Sequence, residues 1–167
     1  MRGFYVGRFQ PFHEGHMWAV ERIVEDVDEV VVAVGSAQDS HTKENPFTAG
    51  ERISMITKSI EGVDATFYVI PVEDVNRNSL WTAQIRSICP PFEVVYSNNP
   101  LVARLFEEEG VEVRRNHLFE RERYSGTRIR EKMLEGGDWR SLVPDAVEQV
   151  VDEVDGVERL REVVGDD

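Results

Sequence analysis

Short apolar runs alternate along this chain with stretches whose apolar residues recur at helical spacing. The first apolar run covers residues 4–6, and within 17–24 the apolar positions lie three or four residues apart, as on one face of a helix. Residues 30–34 are all valine or alanine, which is typical of a strand buried on both faces of a sheet. The pattern therefore predicts a buried first strand, a helix and a second buried strand.

The alternation continues to residue 114 and then changes. Further strands are predicted over 66–70, 93–96 and 111–114, and further helices over 50–60, 79–88 and 100–109. From residue 127 onward only helical patterns remain, with breaks at 136–137 and near 156. Strands that alternate with helices predict a parallel sheet. We expect an α/β fold in one domain, 1–167: a doubly wound, Rossmann-like five-stranded parallel sheet (1–125) followed by a small C-terminal helical tail (126–167).

Composition narrows the class of protein. The chain has 167 residues and no apolar run near the roughly 20 residues that a membrane span needs. It shows no secretory signal, and its single cysteine, Cys89, excludes an internal disulfide. We expect a cytoplasmic protein without a membrane partner, in which Cys89 is a small, reduced core residue.

Acidic residues dominate the charge. There are 32 Asp and Glu against 19 Lys and Arg, which gives a net charge of −13 at pH 7. Such a surface repels nucleic acid, so no DNA or RNA partner is expected. The same composition suits a high-salt cytoplasm, where counter-ions screen the self-repulsion, and we treat that adaptation as a hypothesis.

The segment richest in candidate chemistry is Gly7-Arg8-Phe9-Gln10-Pro11-Phe12-His13-Glu14-Gly15-His16. It joins the first strand to the first helix, which puts His13 and His16 at or just inside a helix N-terminus. Unpaired backbone N–H groups and the helix dipole favour a phosphate there. Gly15 has no side chain to block that phosphate, and Arg8 adds a guanidinium. The segment predicts a nucleotide-phosphate site that uses no P-loop lysine.

Two plainer interpretations compete with this one. A His-x-x-His pair also occurs at ordinary helix starts and in fragments of metal sites. Zinc fits poorly because His41, His117 and Cys89 show no supporting ligand spacing. The zinc-protease pattern also needs its second histidine four residues after the first. The strand–turn–helix context therefore favours phosphate, and no protein ligand to a metal is expected.

A second anion site is predicted in the segment Tyr124-Ser125-Gly126-Thr127-Arg128-Ile129-Arg130. Ser125 can cap a helix whose first amides are open to an anion. Thr127 and Arg130 lie on one face of that helix. Capping alone explains Ser125 and Thr127 equally well, but Arg130 together with Arg8 forms a pair that can clamp a polyphosphate.

The two motifs resemble the H-x-G-H and S-x-T-x-x-R motifs of a nucleotidyltransferase superfamily. More narrowly, three segments are similar to archaeal nicotinamide-nucleotide adenylyltransferases: Gly35-Ser36-Ala37-Gln38, Asn45-Pro46-Phe47-Thr48-Ala49-Gly50-Glu51-Arg52 and Asp138-Trp139-Arg140. The resemblance covers nearly the whole chain, and the combination of H-x-G-H with Thr-Ala-Gly-Glu-Arg makes it specific.

The resemblance implies that NMN and ATP give NAD and pyrophosphate, with magnesium accompanying the ATP. It assigns catalysis to His13, His16, Arg8 and Arg130. It assigns ATP binding to Gly7, Arg8, Phe9, Gln10, Gly15, Tyr124, Ser125, Thr127 and Arg130. Relatives of this kind form homohexamers, so a homo-oligomer is expected. The residues fit independently, because the phosphate of NMN is ionised near neutral pH and needs no general base.

The nicotinamide side is assigned to a segment that resembles the family's NMN loop and to two neighbouring loops. The residues implied are Ser36, Asp74, Val75, Asn78, Trp81 and Asn98. Trp81 either stacks on the cationic pyridinium or is a core aromatic. Asn98 stands where the family usually has glycine, and asparagine tolerates left-handed backbone angles. Arg52 is interpreted as a phosphate ligand or as an ion pair near Glu51.

Two alternatives stay open. The first is an adenylyltransferase of the same superfamily with another acceptor, such as phosphopantetheine or FMN. The second is a non-catalytic sensor that binds a nucleotide in the same pocket. The intact set of two histidines and two arginines argues against a sensor, because a sensor does not need donors for a transition state.

Overall fold

The computed structural model describes residues 1–115 and 122–165. Five strands lie in this part of the chain: β1 (Arg2–Gly7), β2 (Glu29–Val34), β3 (Thr66–Pro71), β4 (Val94–Tyr96) and β5 (Glu112–Arg114). The helices are α1 (Glu14–Asp26), α2 (Ala49–Ser59), α3 (Asn78–Ile88), α4 (Pro100–Glu107), α5 (Gly126–Glu135), α6 (Asp145–Glu153) and α7 (Gly156–Val164). A 3-10 turn over Arg140–Leu142, which the sequence pattern does not predict, precedes α6.

All five strands are parallel and lie in the order β3-β2-β1-β4-β5. The order reverses between β1 and β4, and this is the point where sheets of this kind bind ligands at the carboxyl ends of their strands. The predicted fold class is therefore confirmed, with strand and helix limits within a few residues of those expected from the sequence.

The two faces of the sheet carry separate apolar clusters. Along β2, Val30, Val32 and Val34 pack on one face with α1 and α2, while Val31 and Ala33 pack on the other with α3 and α4. This alternation explains the unbroken apolar run, since both faces of the strand are covered by helices. Cys89 is buried in the second cluster, as predicted.

Helices α5, α6 and α7 belong to the main core. Their buried residues share one cluster with Phe9, Phe12 and Phe47 from the loops that follow β1 and β2. At Gly156 a Cβ atom would approach the Phe47 ring to 2.7 Å, so the start of α7 lies directly against that loop. The C-terminal helices therefore support the loops at the carboxyl edge of the sheet.

Helix α4 begins at Pro100, as the sequence pattern predicts. Asn99, the residue before α4, caps the helix by accepting hydrogen bonds from the backbone N–H groups of Leu101 and Val102. Asn98 does not adopt the left-handed backbone that a glycine at this position suggests, because the described non-glycine residues with positive φ lie elsewhere. The left-handed backbone that asparagine tolerates is therefore not used at Asn98. Among the described residues, no helix is both long and apolar enough to cross a membrane.

Candidate active site

The two sequence motifs meet at the carboxyl edge of the sheet, beside the switch between β1 and β4. The loop that follows β1 leads into α1 and carries His13 and His16. The N-terminus of α5 lies against this loop: a Cβ at Gly126 would approach the Gln10 carbonyl to 3.3 Å, and Arg130 donates a hydrogen bond of 2.8 Å to the same oxygen. The prediction that both motifs form one site is consistent with these contacts.

His13 and His16 form a capping box made of imidazoles. Nδ1 of His13, the N-cap residue of α1, accepts from the backbone N–H groups of Gly15 (3.1 Å) and His16 (3.4 Å). Nδ1 of His16 accepts in return from the His13 backbone N–H at 3.1 Å. An accepting Nδ1 carries no proton, so in each neutral ring the proton is on Nε2. The two Nε2–H groups are thereby left as donors.

Burial keeps both rings neutral. The ring centroids of His13 and His16 lie 3.6 Å apart in a stacked arrangement, and the Phe9 and Phe12 rings contact His16. Burial lowers the pKa of His13 to about 3. Burial, and then the proximity of His13, hold the pKa of His16 well below its usual value. Both side chains are therefore uncharged imidazoles at neutral pH.

Gly15 is required for a different reason than the one predicted. A Cβ at this position would approach the His13 ring to 2.9 Å and the Tyr124 Cβ to 3.1 Å. The space left by the missing side chain is thus occupied by protein atoms and not held open for a phosphate. Gly15 lets the His13 ring fold over the start of α1 and lets Tyr124 approach it.

The Arg130 guanidinium forms two hydrogen bonds, of which the first is the one to the Gln10 carbonyl. Its side chain is buried, and its second contact is a hydrogen bond of 3.4 Å to the Thr127 hydroxyl on the same helix face. Burial lowers the pKa of Arg130, and the charge of Arg8 lowers it further. The predicted pair of guanidinium groups is therefore close enough for mutual repulsion, which a bound polyphosphate would relieve.

Gln10 and Ser125 hold the main chain in place. The Gln10 amide donates to the Phe47 carbonyl (3.0 Å) and accepts from the Phe47 N–H (2.9 Å), which joins the loops that follow β1 and β2. The Ser125 hydroxyl caps α5 by accepting from the Arg128 N–H at 3.1 Å. The side-chain amide of Gln10 is therefore occupied by Phe47, whereas the Ser125 hydroxyl only accepts in this contact and its O–H can still donate to a phosphate.

Two residues of the site have left-handed backbone angles without being glycine. Phe9 has φ 54° and Ser36 has φ 47°, in the loops that follow β1 and β2. Such residues cost about 1–3 kcal/mol each and persist only where surrounding contacts hold them. At Gly7 a Cβ would approach the Phe9 ring to 2.9 Å, so the glycine makes room for that ring.

The contacts of Arg52 show that both interpretations drawn from the sequence, a phosphate ligand and an ion pair near Glu51, are wrong. Its side chain is 0% exposed, and its five N–H groups donate to main-chain carbonyls of Arg8, Gly35, Ser36, Asp39 and Thr48 at 2.8–3.4 Å. A guanidinium has five N–H donors, so none remains for a phosphate. The neighbouring Glu51 instead pairs with Arg159, whose two terminal nitrogens lie 2.7 and 2.9 Å from the two carboxylate oxygens.

The predicted nicotinamide side lies on the loops and helices that follow β2, β3 and β4. Asp74 forms a reciprocal pair with Gln38: the glutamine amide donates to the carboxylate at 2.8 Å, and the Asp74 N–H donates to the Gln38 Oε1 at 3.0 Å. Gln38 is absent from the residues predicted for the site. The signal available in the sequence was its place just after β2, at the ligand-binding edge of the sheet.

Trp81 lies in α3 and is partly buried. Its ring packs edge-on against Phe106 of α4, with centroids 5.6 Å apart. Asn78 begins the same helix and is exposed, while Val75 is half-buried in the loop before it. The packing of Trp81 against α4 is in keeping with the core interpretation, and its partial exposure leaves the stacking role as a prediction.

Among residues 1–115 and 122–165, no group of three or more His, Cys, Asp and Glu side chains is arranged to hold a metal ion. His117, one of the residues weighed for zinc, lies outside the described residues.

Comparison with known proteins places these features in a family. Residues 4–132 match the family model described as Cytidylyltransferase-like. A nicotinamide-nucleotide adenylyltransferase of Methanothrix thermoacetophila is 59% identical over 97% of this chain and 95% of its own length. One from Halorubrum lacusprofundi is 54% identical over 100% of this chain and 95% of its own length.

Solved structures support the fold independently. A bifunctional NMN adenylyltransferase/ADP ribose pyrophosphatase from Francisella tularensis, complexed with AMP and a manganese ion, superposes on 96% of this chain with a TM-score of 0.75 and 17% identity. This chain spans 51% of that longer protein. The sequence relatives establish the narrower relationship: the chain belongs to the nicotinamide-nucleotide adenylyltransferase family of nucleotidyltransferase enzymes.

Proposed function

We propose that this chain transfers the AMP group of ATP to NMN, giving NAD and pyrophosphate. Its family membership supports the reaction class and the acceptor. The single observation that carries the chemistry is the imidazole capping box, in which both Nδ1 atoms of His13 and His16 are used by the backbone and both Nε2–H groups are left as neutral donors. Arg8 and Arg130 supply positive charge beside them.

The reaction needs alignment more than activation. An oxygen of the NMN phosphate, ionised above its second pKa of about 6, forms a bond to the α-phosphorus of ATP. The bond from that phosphorus to the β-phosphate oxygen breaks, and the electron pair leaves with pyrophosphate. No proton has to be removed from the nucleophile, so neutral histidines with a lowered pKa are suited to donate hydrogen bonds and unsuited to act as bases.

Each charged region of the transition state has a candidate partner. His16 and His13 donate to the oxygens of the α-phosphate, where charge accumulates during transfer. Arg8 and Arg130 neutralise the β- and γ-phosphates as they leave. Main-chain groups of residues 5–8, which include Gly7, and of residues 124–127, which include Tyr124, form with Phe9 the surface on which ATP binds.

Magnesium is proposed to arrive with ATP. When bound to the triphosphate, it neutralises part of the charge that repels the NMN phosphate. The oxygens that fit it best are those of the triphosphate, because the described residues contain no suitable carboxylate cluster. The chain itself then contributes Arg8 and Arg130, which bind the phosphate oxygens that the metal leaves free.

The acceptor side is proposed to use the loops beyond Ser36. The Asp74–Gln38 pair offers polar groups for the carboxamide, and Trp81 offers a ring for the pyridinium. Val75, Asn78 and Asn98 complete the proposed set at this edge. We further propose that the protein acts in the cytoplasm as a homo-oligomer, with no nucleic-acid partner.

A parallel assay tests the acceptor. ATP and magnesium are supplied with NMN, nicotinic acid mononucleotide, phosphopantetheine or FMN, and dinucleotide and pyrophosphate are both measured. The proposal predicts NAD and pyrophosphate in equal amounts with NMN. Turnover with FMN or phosphopantetheine alone would support AMP transfer as the reaction but would refute NMN as the acceptor. Tight ATP binding without turnover on any acceptor would favour a nucleotide sensor.

A further inference from the structure

Arg52 is a buried cation without an anionic hydrogen-bond partner among the described residues. All five of its N–H groups donate to carbonyl oxygens, and even Asp39 contributes its main-chain oxygen at 3.4 Å. Removing a charge from water is costly unless nearby groups compensate for it. The burial of this arginine at the edge of the active site therefore indicates a role other than packing.

The acceptors of Arg52 adjoin the strained residues of the site. One terminal nitrogen donates at 2.8 Å to the Arg8 carbonyl, which directly precedes Phe9, and at 2.8 Å to the Gly35 carbonyl. The other donates at 3.1 Å to the carbonyl of Ser36. Phe9 and Ser36 are the left-handed residues described above. One guanidinium thus ties the loops that follow β1 and β2 together at the points where each backbone is strained.

Charge adds to this effect. Burial lowers the pKa of Arg52, and while Asp39 raises it, the nearby charge of Arg8 lowers it further. The charge of Arg8 also lowers the pKa of Arg130. Arg8 therefore lies near both Arg52 and Arg130, and a polyanion bound at Arg8 relieves the repulsion between these pairs. Arg52 adds positive charge to this region from a buried position, where water does not screen it.

We propose that Arg52 is the positioning residue of the polyphosphate subsite, fixing the main chain of Arg8 and of residues 35–39 so that the Arg8 side chain meets the triphosphate. The inference rests on the proposed function, in which Arg8 binds ATP. Arg52 itself touches no reacting atom. Its effect on ATP is therefore expected to pass through Arg8.

Replacing Arg52 with lysine tests this inference. Lysine keeps the charge but offers three N–H donors in place of a planar set of five. We expect R52K to weaken the Kd for ATP, measured by calorimetry, at least tenfold. R140K is the matched control, because Arg140 makes several hydrogen bonds to Glu148 and Asp152 on α6. Equal losses in R52K and R140K would refute a specific role.

A double-mutant cycle with R8A distinguishes a role of Arg52 in positioning Arg8 from a general role in stabilising the fold. If Arg52 acts through Arg8, the tenfold effect of R52K on ATP binding shrinks to less than twofold in the R8A background. The same fold-change in both backgrounds would overturn the inference. Calorimetry with ATP needs no acceptor. A wild-type protein that binds ATP more tightly than R52K but makes no NAD would therefore refute the proposed function alone.

A second variant covers the case in which R52K does not fold. Glycine adopts left-handed angles without strain, so S36G removes part of what Arg52 has to hold. We expect the double variant S36G/R52K to fold and to show the same loss of ATP affinity relative to S36G. If the double variant stays unfolded while S36G folds, Arg52 is a folding residue and the proposal is wrong.

Discussion

Each imidazole of the capping box uses its two nitrogens for different purposes. Nδ1 of His13 and Nδ1 of His16 satisfy backbone N–H groups at the start of α1, while the Nε2–H groups are available to a phosphate. The residues expected in a capping box are serine or threonine followed by glutamate or glutamine. Sequence reasoning therefore predicts a phosphate site here and does not predict the cap, although the spacing of three is the same.

Because Nδ1 and Nε2 of His16 have different roles, substitutions of His16 can separate them. Glutamine at the third position of a helix can still reach back to the N-cap backbone, so H16Q keeps the cap and loses the imidazole donor. We predict that H16Q and H16A both lower kcat about a hundredfold or more, with a much smaller loss in ATP affinity. Only H16A should also lower the Tm. A loss of ATP affinity with an unchanged kcat would mean that His16 binds ATP equally in the ground state and the transition state.

The neutral histidines also predict how stability depends on pH. Below pH 6.5 the unfolded chain takes up protons on His13 and His16, whereas the folded chain does not until far lower pH, near 3 for His13. The unfolded state then binds more protons, so the free energy of unfolding falls as the pH falls. Between pH 7.5 and 5 we expect a loss of about 2 kcal/mol for each histidine.

Denaturant titrations of the ligand-free protein at a series of pH values measure this loss. H16Q should remove roughly half of it, since one of the two buried imidazoles is gone. H41Q, a substitution of an exposed histidine outside the capping box, is the control. A free energy of unfolding that stays constant from pH 7.5 to 5 would show that the imidazoles are not held neutral.

Among the elements, α7 is attached to the loop beside the site through one ion pair. Arg159 donates to both carboxylate oxygens of Glu51 and to the carbonyl of Pro46 at 3.0 Å. Glu51 is also the third residue of α2, where it completes a capping box with Thr48. The last helix of the described chain thereby holds the loop that contains Phe47, to which Gln10 is bonded.

We predict that R159Q destabilises the fold by about 1–2 kcal/mol, because it leaves a partly buried carboxylate without its charged partner. In a chain of this length that corresponds to a fall in Tm of about 2–8 °C. R140Q is the comparison, since its ion pairs with Glu148 and Asp152 are more exposed and are worth less. A Tm for R159Q at or above that of R140Q would contradict the importance assigned to this contact.

The order and type of the elements follow from the sequence, but several features of the site do not. Alternation of apolar runs with helical spacing predicts the strands and helices because both periods are properties of the sequence itself. The role of Arg52 has no such signature, since its partners are carbonyl oxygens that every residue possesses. The left-handed backbone of Phe9 is equally hidden, because an aromatic residue gives no local hint of it.

At the scale of the whole molecule, the net charge of −13 has to be tolerated by the folded state. Carboxylates over the C-terminal helices repel one another at distances that salt screens. The screening length falls from about 30 Å at 0.01 M salt to about 3 Å at 1 M. Repulsion of this kind favours the more expanded unfolded chain at low salt.

We therefore predict that the Tm rises as potassium chloride is increased from about 0.01 M to 1 M. The rate of NAD formation is expected to rise over the same range if the protein is adapted to high salt. Sucrose at matched osmolality is the control, because it does not screen charge. A fully folded and active protein without added salt, with a Tm that does not change, would exclude the adaptation.

The stereochemistry at the α-phosphorus tests the central claim most directly, namely that the AMP group is transferred in one step while the imidazoles of His13 and His16 donate hydrogen bonds to the oxygens of its phosphate. ATP that carries sulfur on the α-phosphorus in one configuration is converted with NMN to the corresponding NAD analogue. A single in-line displacement predicts inversion at phosphorus. Retention would require two displacements and an adenylated protein side chain, with an imidazole as nucleophile, and would contradict the account given for both histidines.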